Sequence, residues 1–130
     1  MNIRQIIAAL VLVNIALFAT AQGSTKYIFK AADNSLNTKI CVAAVNNNLV
    51  GLKKASRADR LGIKDITRHL KCNGLDITNF AATYDAYDTT LYLSKMAPKK
   101  YKIDLNQVEI TDLAKNSSSG QTKIIYVSSK

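Results

Sequence analysis

Apolar residues recur along this chain at three different spacings. From Ile6 to Phe18 they are continuous but for Asn14. From Leu36 to about residue 87 they return every three or four positions. Beyond that they come in short alternating runs. The first pattern is a hydrophobic segment, the second predicts helices, and the third predicts strands.

Tyr27-Ile28-Phe29 is a short β-favouring run, and Asp33-Asn34-Ser35 then supplies helix caps. In the helix that follows, Leu36, Ile40 and Ala44 stand four apart with Cys41 and Val45 beside them, which makes one apolar stripe. Asn46-Asn47-Asn48 predicts a break and restart, because asparagine competes with the backbone for hydrogen bonds. Leu49, Leu52 and Ala55 begin a second helix, with Lys53, Lys54, Arg57 and Arg60 on its other face and Gly62 as its left-handed stop. A third helix runs from about Ile63 to Cys72, turning Ile63, Ile66 and Leu70 inward.

The segment Cys72-Asn73-Gly74-Leu75-Asp76 reads as a helix–turn–helix corner. Gly74 takes the positive φ past a helix end, and Leu75 contacts Leu70 as in a Schellman stop. Asp76 caps a fourth helix, and Leu75 staples Phe80 at its fourth position. That helix carries Ile77, Phe80, Ala81 and Tyr84 and ends near Tyr87-Asp88. Thr89 to Leu93, Tyr101 to Leu105 (with Val108 and Ile110 extending it or starting another strand) and Ile124 to Val127 then predict strands of a small antiparallel sheet, with turns at Pro98–Lys100 and Asn116–Gly120.

The N-terminal segment changes the picture of where the chain works. Arg4, the apolar run and the small residues Ala19-Thr20-Ala21 form a secretory signal, with cleavage expected before Gln22. The run is shorter than the roughly 20 residues of a membrane helix. Residues 1–21 are thus expected to be removed, leaving residues 22–130 as a single small domain of the periplasm or the cell exterior, with no transmembrane segment. The chain carries 18 Lys+Arg against 9 Asp+Glu, a formal net charge of +9. Losing Arg4 leaves +8. Such a charge draws the protein to polyanions: anionic lipid headgroups, lipopolysaccharide, acidic cell-wall polymers or extracellular nucleic acid. The plainer role of the charge is solubility.

Two cysteines, Cys41 and Cys72, make an even count in an exported chain and point to a disulfide. Closing a loop of about 32 residues is worth roughly 3–4 kcal/mol in the chain-entropy description. In a small domain that is a large share of a total stability of about 5–15 kcal/mol.

Ile40-Cys41-Val42-Ala43-Ala44, a basic middle, Leu70-Lys71-Cys72-Asn73-Gly74, Asn79-Phe80-Ala81 and Tyr84-Asp85-Ala86 together form a pattern. It resembles a family of small exported bacterial proteins classed only as a domain of unknown function, with a Cys-Asn-Gly motif. The resemblance covers roughly residues 36–92. It implies export and the disulfide, and it implies no activity.

Two constellations are candidates for function. Asp65, His69 and Cys72 stand four and three apart, so on a helix they share a face. An acid orienting an imidazole beside a thiol is the logic of a small hydrolase or thiol enzyme. It needs a free thiolate, and the expected disulfide opposes that. The second constellation is Lys53, Lys54, Arg57, Arg60, Lys64, Arg68 and Lys71, set against only Asp59 and Asp65. Facing one way, these seven cations form an anion-binding patch; otherwise they are a solvated helix surface. No aromatics interleave with them to favour single-stranded nucleic acid. Sequence-specific DNA reading is also disfavoured, since helix corners with a glycine turn occur in many folds. One histidine and two distant cysteines do not make a zinc site, and Asp76, Asp85 and Asp88 do not match a calcium loop. No metal and no cofactor is therefore expected.

The reading is an α+β protein. A disulfide-stapled N-terminal helical half of about four short helices precedes a small antiparallel β-sheet. The role expected is a non-enzymatic binding or interaction module with a polyanionic partner. The alternative is an enzyme using Asp65, His69 and Cys72.

Overall fold

The computed structural model describes residues 25–60, 62–102 and 121–129. The expected leader and the expected strand and turn residues from 103 to 120 lie outside the described residues. The elements run β1 (Lys26–Ala31), α1 (Leu36–Val45), α2 (Leu49–Ala58), α3 (Ile63–His69), β2 (Lys71–Cys72), β3 (Leu75–Asp76), α4 (Ile77–Thr83), α5 (Tyr87–Met96), a 3-10 turn (Lys99–Tyr101) and β4 (Thr122–Val127). The class is α+β, with five α-helices among the described residues rather than about four.

Local chemistry sets the first helix boundaries. Ser35 caps α1: its backbone is extended and its Oγ accepts from the Thr38 N–H at 3.2 Å. Asp33 in turn accepts from the Ser35 N–H at 2.8 Å. The three asparagines divide the work of the following break. The Asn46 N–H closes α1 on the Val42 carbonyl, and Asn48 caps α2 by accepting from the Gly51 N–H at 2.8 Å. Gly51 lets that cap sit close, because a Cβ there would lie 2.6 Å from the Asn48 amide nitrogen and would push the capping side chain aside. Asn47, at φ 53°, reaches across the molecule. Its Oδ1 accepts from the Thr89 N–H at 3.1 Å and its Nδ2 donates to Asp88 at 2.9 Å, so it caps α5, whose own N-cap, Ala86, has no side chain for the task.

The helix corner differs from the sequence reading. α3 ends at His69, with Leu70 already extended, so Cys72 is not in a helix. Asn73 (φ 49°) and Gly74 (φ 85°) both take the left-handed conformation. They form the two-residue turn of a tight antiparallel hairpin in which Cys72 pairs with Leu75 and Lys71 with Asp76. Positive φ at both central positions is the type I′ form of the two-residue turn, which Asn-Gly favours. Gly74 is therefore a hairpin turn and not a Schellman stop. Leu75 keeps 45% of its surface exposed, so it closes neither helix as a buried clasp, whereas Phe80 is 1% exposed. Asp76 does cap α4, accepting from the Asn79 N–H at 3.0 Å. Gly62 is likewise not the left-handed stop of α2. That conformation falls on Arg60 (φ 51°), and Gly62 is the N-cap of α3.

The largest departure concerns the sheet. Thr89 to Leu93 belong to α5 and not to a strand. Thr89, Thr90, Leu93 and Ser94 are its buried positions and follow the helical period. Hydroxyls at three of them hide the stripe from a hydropathy reading; Thr89 donates its hydroxyl to the Ala44 carbonyl at 2.6 Å. α4 ends at Thr83, and Asp85 (φ 57°) turns the chain into α5. β4 pairs with β1, in parallel, from Lys26↔Thr122 to Ala31↔Val127. Parallel neighbours need a long crossover, and the helices supply it. The antiparallel pair is the β2–β3 hairpin inside the helical half.

Ile40, Ala44, Leu52, Ile66, Ile77, Phe80, Leu93 and Val127 form the core together with both cysteines. Tyr84 joins the sheet to α4. Its ring meets Phe29 at 4.8 Å, Tyr27 at 5.3 Å and Phe80 at 5.4 Å, all edge-on, which is the favoured geometry for aromatic rings.

Candidate functional site

Cys41 and Cys72 are bonded, with an S–S distance of 1.97 Å and Cα atoms 5.7 Å apart, and both are fully buried. The bond ties α1 to the β2–β3 hairpin. The hairpin in turn grips the C-terminal strand. Asn73 donates from Nδ2 to the Tyr126 carbonyl at 3.0 Å and accepts at Oδ1 from the Ser128 N–H at 2.8 Å, while its own N–H donates to the Ser128 carbonyl at 2.9 Å. Cys72 bridges Ser129, whose N–H donates to Thr38 Oγ1 of α1 at 3.1 Å. The three residues of Cys-Asn-Gly thus have three structural tasks: a bond, a clamp and a turn.

The same arrangement dismantles the Asp65, His69 and Cys72 constellation. Its sulfur is committed to Cys41. Cys72 lies beyond the end of α3, so the helical spacing that would align the three residues does not hold. Asp65 faces Arg68, Nη1 to Oδ1 4.0 Å, in a half-exposed pair worth about 0–1 kcal/mol. His69 is exposed in the last turn, beside Arg68, whose charge complements the helix dipole. Among the described residues no group of three or more His, Cys, Asp or Glu could hold a metal ion, and no helix is long and apolar enough to cross a membrane.

The seven cations divide. Lys53, Arg57 and Arg60 line one open pocket of about 250 Å³ with Ser56, Gly62, Ile63 and Tyr92. The pocket lies where α2, the start of α3 and α5 meet. Lys53 and Arg57 are one turn apart on α2, and Arg60 follows at the turn after it. Lys53 is half-buried, with its ammonium 4.7 Å from the centre of the Tyr92 ring. This cation–π contact holds a long side chain that would otherwise sample solvent. Arg60 occupies a left-handed position where glycine is the usual residue, and a side chain there costs about 1–2 kcal/mol. No acid lines the pocket; Asp59, between the two arginines in sequence, has its Oδ2 buried, without a hydrogen-bond partner among the described residues.

Lys54, Lys64, Arg68 and Lys71 are exposed and stand outside this lining, with Lys71 opposite Asp76 across the hairpin. Tyr92, Ser56, Gly62 and Ile63 are the lining residues that sequence reasoning did not select. Tyr92 was placed on a strand, and only its helical position on α5 turns it toward Lys53.

A family model described as Protein of unknown function (DUF3718) matches residues 40–115. The match takes in both cysteines, the basic pocket and α5, and so extends past residue 92, where the resemblance seen in the sequence ended. No curated protein and no solved structure matches the chain.

Proposed function

The chain belongs to the DUF3718 family of proteins of unknown function, and from that premise we propose that it is a non-enzymatic binding module that engages a polyanionic partner through the pocket of Lys53, Arg57 and Arg60 and the exposed cations around it. On this reading residues 1–21 are a leader cleaved before Gln22, and the protein acts in the periplasm or outside the cell. There the partner is an anionic envelope component: a lipid headgroup, lipopolysaccharide or a cell-wall polymer. The observation that carries the reading is the convergence of three cations, two on α2 and one in the turn after it, on one concavity whose lining holds no acid. Helix spacing already aligns Lys53 with Arg57, and the turn after α2 adds Arg60. Guanidinium forks suit phosphate and carboxylate oxygens, and the strained Arg60 backbone is the kind of local cost that persists at binding sites.

The test is retention of the purified protein on phosphatidylglycerol vesicles and on heparin, at about 10 mM and about 150 mM salt, where the screening length falls from roughly 30 Å to 8 Å. Binding at low salt that weakens steeply with salt is expected. Arg60→Gly should weaken it while leaving stability within about 1 kcal/mol, since the relieved backbone strain offsets the entropy that glycine adds to the unfolded chain. A protein that ignores both surfaces at low salt would overturn the reading.

A further inference from the structure

We infer that the pocket is a discrete site for the phosphate monoester of a single sugar unit, free or displayed on a larger envelope molecule. The inference rests on the polyanion reading above and narrows it. Three features select the class. A phosphate monoester carries close to two negative charges at neutral pH, and Lys53, Arg57 and Arg60 meet it with three positive charges and no lining acid. Arg57 and Arg60 offer planar forks that pair with two phosphate oxygens at once, and the Lys53 ammonium is already held at 4.7 Å from the centre of the Tyr92 ring. The rest of the wall is not charged. Ile63 and the part of Tyr92 that the Lys53 ammonium does not cover present apolar surface, and Gly62 adds no side chain to the wall; the atom nearest to where its Cβ would stand is an Asp65 carboxylate oxygen, at 3.8 Å.

Size narrows the choice further. Drug-sized ligands fill pockets of about 300–1,000 Å³. At about 250 Å³ this one is smaller, yet it is lined by more than a bare anion needs. A six-membered sugar ring, with its C–H face on Ile63 beside the Tyr92–Lys53 pair and its phosphate on the arginines, uses both halves of the lining. A smooth polymer chain uses only the charged half.

The experiment is amide chemical-shift titration of the full chain with glucose 1-phosphate, inorganic phosphate and glucose, and in parallel with vesicles of phosphatidylcholine carrying lipid A, a phosphorylated glucosamine disaccharide. Saturable one-to-one shifts centred on Arg60, Gly62 and Ile63 are expected with glucose 1-phosphate. Inorganic phosphate should bind at least tenfold more weakly and glucose not measurably. Arg57→Gln should weaken glucose 1-phosphate tenfold or more. Lys54→Gln, the same charge change outside the pocket, should alter it less than twofold. Competition by glucose 1-phosphate against the lipid A vesicles would place the headgroup in the same pocket. Binding to the vesicles without that competition would assign them to the wider basic face and overturn the headgroup as a source.

Equal affinity for inorganic phosphate, or equal losses in the two variants, would overturn the sugar-phosphate site. Heparin binding that survives such a result would leave the polyanion reading standing. Loss of both would end both.

Discussion

Replacing Asn73 with alanine removes the clamp between the hairpin and β4 while leaving Cys72 and Gly74 in place. Two well-formed side-chain hydrogen bonds are lost, at 3.0 Å to Tyr126 and 2.8 Å from Ser128. Each is worth about 1 kcal/mol net, and because Asn73 is exposed, water recovers roughly half. Alanine must also hold φ near 49°, which asparagine tolerates and alanine does not, at a cost of about 1–2 kcal/mol. The sum is about 2–3 kcal/mol, or roughly 10 °C in Tm for a domain of this size.

Urea unfolding supplies the number, with an unchanged m-value as the condition for reading it as stability. Asn73→Gly separates the two contributions, since it removes the clamp and keeps the turn, and should fall between wild type and alanine. Hydrogen exchange supplies the location: the Ser128 amide should lose protection in both variants. If Asn73→Ala stayed within about 0.5 kcal/mol of wild type with the Ser128 amide still protected, the clamp would be incidental and the structural account of Cys-Asn-Gly would fail.

Intact mass of the denatured protein with an alkylating reagent should show no label before reduction and two labels after it. Removing both sulfurs by Cys41→Ala with Cys72→Ala should cost about 3–4 kcal/mol for the 31-residue separation they close; free labelling of native protein would refute the staple. Burial among aromatic rings raises the Tyr84 hydroxyl above the ordinary value of 10.0, with the Tyr27 hydroxyl adding repulsion. The stability this represents is fully present below pH 10 and is lost as pH rises through the folded value. Ultraviolet titration should show a late-ionising phase, and Tyr84→Phe should remove the part that belongs to Tyr84. Asp33 has the opposite sign. Hydrogen bonds from Ser35 hold its carboxyl below the ordinary 3.8, so its contribution is present above about pH 4 and is lost as pH falls through the folded value. Asp33→Asn should flatten the acid limb of the unfolding midpoint against pH.

Much of the helical half was legible because its signals are local. Ser35 and Asp76 cap through bonds that span three residues, and the stripe of Leu36, Ile40 and Ala44 follows from the helix period alone. The asparagine run marked a break because three consecutive side chains competed with the helix backbone there. The sequence alone also determined that two cysteines in one small chain would pair, and that basic residues would concentrate between residues 53 and 71.

Tertiary structure decided the rest. A glycine at positive φ serves a helix stop as well as a hairpin, and only the second positive φ, at Asn73, marks the hairpin. The partners that chose the hairpin, Ser128 and Ser129, lie at the other end of the chain. Strand pairing is non-local for the same reason: β1 and β4 become neighbours only after the intervening helices fold into a crossover. α5 stayed hidden because its inward face carries hydroxyls, and the one on Thr89 is satisfied by the Ala44 carbonyl, which no window along the sequence contains. Which three of seven cations share a pocket was settled by the turn at Arg60 and by the face of α5 that carries Tyr92. Charge is written in the composition, but concentrating it at one site takes the packing of three elements.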